Sequence, residues 1–153
     1  VQADVATVLT APGVMLDTIK TPLVLLLKAI AAVTVLSGLG QVFMPGFVLR
    51  LIGAEVTPAS SHFFGIVGMF MALFGGLLLH ALFARKPGPI PVFWCGLQKL
   101  GATAAVSLGV ARGVFSALAL GVAAFDLLSG VLILAYWFSI RKEHPTTDAA
   151  PPE

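Results

Sequence analysis

Lys99 and Asp126 are the residues whose type and position most suggest chemistry. Both lie deep in long apolar runs, where an unpaired charge costs about 2.5–3.5 kcal/mol on the insertion scale. Such groups face the interior of a helix assembly and find a partner there. Lys99 precedes Arg112 by 13 residues, and Asp126 follows Gly113 by 13. With a turn at Arg112-Gly113, an antiparallel hairpin holds the two at equal depth, roughly 20 Å from the turn at 1.5 Å per residue. Opposite charges at one depth on adjacent helices predict a buried ion pair. Its role is to hold the hairpin together or to relay a proton or substrate near the midplane, as in transporters, unless the two charges find partners elsewhere, such as in a second subunit. A relay needs more titratable groups along a path. Only Gln98 and Thr103 are close in sequence, so the structural role is expected.

The other polar groups within apolar runs suggest less. Lys28 lies roughly 10 Å inside its helix and can snorkel to the near surface. Gln41 is expected at the far interface, needing no special account. His62 and His80 are 18 residues apart, five helical turns, and so share one face. They are also about 27 Å apart along the axis, too far to share one haem or metal. Each could singly ligate a haem or a chlorophyll-type pigment with help from another helix or a partner; interfacial histidines are the plainer reading. No His pair at i, i+4 and no carboxylate–His cluster supports a metal site. Cys95, the only cysteine, sits in an apolar run and reads as a packed thiol.

These residues need elements to position them, and composition says which. The chain has 153 residues, 58% hydrophobic and only 10% charged. A disordered chain and a conventional soluble domain are both excluded. Four runs are long enough to cross a hydrocarbon core of about 30 Å, at about 21–44, 59–83, 89–111 and 114–140. Helices are the form expected for them, because backbone groups in lipid must be satisfied internally. Pro22 suits the first position of a helix, Pro45-Gly46 stops it, and Thr57-Pro58 opens the next. Residues 1–20, broken by Pro12-Gly13, read as a short interfacial or loosely ordered segment without the pattern of a cleavable signal peptide. Residues 46–53 are too short to span and read as a re-entrant or interface-lying turn. Residues 141–153 read as a disordered polar tail. The predicted fold is an all-α membrane protein, four transmembrane helices in an up-down bundle.

Orientation follows from the loops. Lys20, Arg85, Lys86, Arg141 and Lys142 fall on the side of both termini, against Arg50 and Arg112 on the other. The positive-inside rule then puts both termini in the cytoplasm. Trp94, Tyr136 and Trp137 fit an aromatic belt at that interface. Membrane helices associate through small residues. Gly68, Ala72 and Gly76 form one such stripe, and Gly101, Ala105 and Gly109 another, continued by Gly113. The third spanning helix, with that stripe and Lys99, is expected to be central. Ala123, Asp126, Ser129 and Gly130 share the side of the fourth helix suited to meet Lys99. Phe63, Phe64, Phe70 and Phe74 suit lipid, a neighbouring protein or a flat cofactor.

Lys99-Leu100-Gly101, Phe125-Asp126-Leu127-Leu128-Ser129-Gly130 and Tyr136-Trp137 resemble segments of uncharacterised small four-helix bacterial membrane proteins. The resemblance covers the second half of the chain. It implies a bacterial cytoplasmic or photosynthetic membrane but no activity. No Lys/Arg cluster supports nucleic-acid binding. The glycines follow no strand and form no nucleotide loop. A lipid-acting enzyme lacks a nucleophile–base pair, so no enzyme activity is expected. The expected function is a non-catalytic accessory subunit of a larger membrane complex, respiratory or photosynthetic, contacting lipid and other subunits. The alternative is a small oligomeric transporter or channel component that uses Lys99 and Asp126.

Overall fold

The computed structural model describes residues 12–143, with side chains from 21 to 142. Among them the regular elements are all helical: α1 (Pro12–Phe43), α2 (Pro45–Leu51), α3 (Pro58–Phe83), α4 (Pro89–Ala111), α5 (Ala119–Ile140) and a closing 3-10 turn, Arg141–Glu143. The Thr21–Phe43 part of α1, all of α3 and all of α5 are long and apolar enough to cross a membrane. That is three helices rather than the four expected. α4 has the length, at 23 residues, but adjacent Gln98 and Lys99 in its middle, with Thr103 and Ser107, lower its apolarity.

Local chemistry explains most boundaries. α3 opens with a reciprocal capping box: the Ser60 N–H donates to Thr57 Oγ1 (3.0 Å) and the Thr57 N–H to Ser60 Oγ (2.8 Å). Pro58 and Pro89 stand in the first turns of α3 and α4, where the missing N–H costs nothing. Pro22 does not start a helix. Pro12 opens α1 instead and Pro22 lies inside it, so residues 12–20 are continuous with that helix. The rest of that predicted segment, residues 1–11, lies outside the described residues, as does the tail beyond Glu143.

α5 starts five residues later than expected. Gly113 has a left-handed φ of 72°, which glycine adopts without steric cost. The chain then climbs through tight turns, with the N–H of Ala119 donating to Ser116 O and that of Leu120 to Ala117 O, both at 3.0 Å. The segment read as a re-entrant turn is a short helix, α2, with Leu49 buried beneath it. Just past its end comes Gly53, φ 70°, where an added Cβ would fall 2.7 Å from Ser116 Cβ. The Ser116 N–H donates to Ile52 O at 2.8 Å. The two connections at this end are thereby tied together.

The long helices form two antiparallel pairs. Along α1 and α3, Gln41 meets Gly68, Gly38 meets Ala72 and Val35 meets Gly75. Along α4 and α5, Gly96 meets Leu134 and Lys99 meets Gly130. Contact between the pairs is less extensive. α4 is therefore not central: it lies along α5 and only partly against α3. The core joins Leu27, Ala31, Leu78, Val92, Ile133 and Tyr136. All but Ala31, which lies just past the middle of α1, come from the halves of the helices nearer the described ends of the chain. Tyr136 is part of this core rather than of an interfacial belt, whereas Trp94 is exposed. Large apolar side chains cover the outside, among them Leu36, Phe63, Phe70 and Leu128.

Candidate functional site

The structure brings Lys99 and Asp126 together. Lys99 Nζ lies 2.5 Å from Asp126 Oδ1, and both side chains are 3% exposed. Close helix approach makes this possible. A Cβ on Gly130 would fall 2.9 Å from Leu100 Cδ2 and 3.2 Å from Lys99 Cβ, and one on Gly96 2.8 Å from Leu134. Thr103 adds a second link, its hydroxyl reaching Lys99 O (3.0 Å) and, across the helices, Ala123 O (3.3 Å). The equal spacing about the turn does not survive as equal depth along the helices. Lys99 lies 12 residues before the end of α4, Asp126 only seven after the start of α5. The climb through residues 112–118 and the long lysine stem take up the difference.

The two sides of the pair differ. Toward the described ends of the chain, Lys99 adjoins only a void of about 10 Å³, lined by Thr34, Cys95, Gln98 and Ile133 among others. On the other side, Asp126 edges a cavity of about 170 Å³ enclosed by α2, α3, α4, α5 and the end of α1. Gln98, Ala102 and Ala105 line it from α4, Phe64 and Met71 from α3, and Phe115 from the connection. Gln41 lines it too, and sequence reasoning missed it. It is 9% exposed, turned inward two residues before the end of α1. Its Nε2 lies 3.1 Å from Met71 Sδ, while Oε1 has no hydrogen-bond partner among the described residues. The signal was its spacing: three residues beyond Gly38, Gln41 shares the helix face that meets α3.

The remaining candidates lie apart from this site. His62 and His80 are exposed near opposite ends of α3, with His62 edge-on to neighbouring Phe63 at 5.9 Å. Met69 shares a surface hollow with His62, and among the described residues no group of three His, Cys, Asp or Glu could hold a metal. Lys28 Nζ sits 4.0 Å from the Phe83 ring centroid, a cation–π contact at the end of α3. Cys95 is buried, its Sγ 3.4 Å from Phe74 O.

The small-residue stripes are partly corrected. Gly68 and Ala72 do meet α1, but Gly75 replaces Gly76, which has open space above it. The two differ by 100° around the helix, and only Gly75 points at Val35. Gly101 is exposed, with nothing near an added Cβ; Ala105 lines the cavity; Gly109 lies under the Phe115 ring. None of these three forms the α4–α5 contact, because that face is taken by Gly96, Lys99 and Thr103. Comparison with protein-family models, curated proteins and solved structures finds no match to this chain.

Proposed function

We propose that the chain is a non-catalytic integral membrane subunit that docks on another membrane protein through the outward seam of α4. One observation supports this reading above others. Ile90, Trp94, Leu97, Gly101, Ala104 and Leu108 recur at alternating spacings of four and three, and all are exposed. That is the 3.5-residue repeat of a helix–helix seam. Its middle is small, which lets a neighbouring helix approach closely, the usual means of association in lipid. The outer faces of α1, α3 and α5 instead carry bulky side chains such as Leu36, Phe70 and Leu128, which suit lipid tails.

In this reading four helices cross the membrane as an up-down bundle, with both termini cytoplasmic. α4 enters with α5 as a hairpin, so that pairing hides Lys99 and Asp126 from the hydrocarbon. The pair is a clamp within the subunit, and no catalytic group is required of the chain.

A second reading, a small transporter component, is favoured by the contact of Asp126 with the cavity. Against it, Asp126 is the only titratable group lining that cavity. Mild-detergent purification from the native membrane tests the first reading. The chain should run at fixed stoichiometry with a partner. Gly101→Leu should release it, while Leu128→Ala on the lipid-facing side of α5 should not. A lone, colourless wild-type particle would overturn the accessory role. The exchange Lys99→Asp with Asp126→Lys separates the two readings: retained assembly and host activity fit a clamp, and retained assembly without activity fits transport.

A further inference from the structure

We infer that the cavity beside Asp126 is a binding site for a neutral, monocyclic-sized apolar molecule carrying a hydroxyl group, of the phenol class. It lies on the side of α4 that faces α3 and α5, with the rim residue Ala105 beside the docking seam, and the inference does not depend on a partner at that seam.

Size sets the first limit. An apolar cavity of about 150 Å³ is known to admit benzene, and this one measures about 170 Å³. Its walls are mostly apolar, with Val48, Phe64, Val67 and Val122 among them. The rim residues Val67, Ala105 and Val122 are themselves exposed, so a ligand has a way in without unfolding a helix.

Polarity sets the second limit. Gln41 Oε1 is buried and has no donor among the described residues. An acceptor left in that state costs free energy that a bound donor would recover. Asp126 offers further acceptor capacity, because a carboxylate has two oxygens and Lys99 is recorded on Oδ1. The unmet need is thus for a hydrogen-bond donor.

Charge sets the third limit. Lys99 already neutralises Asp126, and no other charged side chain lines the cavity. A cation would meet a carboxylate that is already paired, and an anion would meet an acceptor. A neutral hydroxyl on an apolar ring meets all three conditions. Water could satisfy Gln41, and Gln98 or Asp126 besides, but would leave the apolar walls without contacts.

The test uses the full chain in mild detergent and two fluorinated probes, 4-fluorophenol and fluorobenzene, followed by fluorine NMR. The phenol should bind saturably and about tenfold more tightly than fluorobenzene, the ratio expected of one net hydrogen bond. Gln41→Leu, which removes the orphaned acceptor without opening space, should abolish that preference. Ala105→Phe, which fills the cavity from its exposed rim, should abolish saturable binding. Linear partitioning of both probes into protein and detergent alike would show a site holding water only and overturn the inference. So would saturable binding unchanged in Ala105→Phe, which would place the ligand elsewhere, or a preference retained in Gln41→Leu. Loss of the partner complex has no bearing on these readouts, because they are made on the isolated chain.

Discussion

The α1–α3 pair and the α4–α5 pair are both antiparallel, yet different chemistry holds each one. In the first, backbone lies on backbone. A Cβ on Gly38 would fall 2.6 Å from both Ala72 N and Gly68 O, and one on Gly75 3.0 Å from Ala31 O. In the second, side chains fill the space between the helices. Gly96 and Gly130 face the flexible ends of Leu134 and Leu100, and a salt bridge and the Thr103 hydroxyl cross the gap. The first contact is mainly shape, with Gln41 Nε2 on Met71 Sδ as a polar link at one end, and tolerates no added atoms. The second is directional and tolerates no lost partner.

Reversible unfolding in mixed detergent micelles would test that difference, with the largest effect expected in the second pair. Lys99→Leu leaves Asp126 buried and unpaired, a loss of about 3–5 kcal/mol. Replacing both, Lys99→Leu with Asp126→Leu, should restore most of that stability, because two apolar side chains leave no charge uncompensated. If the double variant is as unstable as the single one, the second pair also depends on shape.

A smaller loss is expected in the first pair. Gly38→Val drives its side chain into the backbone of α3 and should cost about 1–3 kcal/mol, while Gly76→Val, one turn further along α3 with nothing within 4 Å, should cost far less. Equal costs at the two sites would break the account of the first pair. Smaller still, Thr103→Val should cost about 0.6 kcal/mol, the average for an interhelical hydrogen bond in a membrane protein. A much larger value would make Thr103, rather than the ion pair, the main polar link.

How far each pair could be read from the sequence follows from the same chemistry. Lys99 and Asp126 were legible because a charge among apolar residues needs a partner and a short hairpin leaves few choices. The bounds of α3 and α4 were legible because Thr57-Pro58 and Pro89 act within one turn. The α1–α3 contact was only half legible. Gly68 and Ala72 stand out as small, but whether Gly75 or Gly76 meets α1 depends on a 100° rotation that no local signal sets. Gln41 looked interfacial because it ends an apolar run; α2 and the tied connections fold over that end and bury it.

Composition and spacing predicted four spans where three helices are long and apolar enough, and determined that the chain is helical and that Lys99 should seek Asp126. These are consequences of hydrogen bonding, hydrophobicity and charge acting within a helix or between sequence neighbours. Tertiary structure decided the unequal halves of the molecule. Leu27, Leu78, Val92 and Ile133 close the space between the pairs at one end, whereas at the other Gln41, Gln98 and Asp126 border a space left open. A cavity is where several elements fail to meet, and that depends on the rotation and tilt of all of them at once.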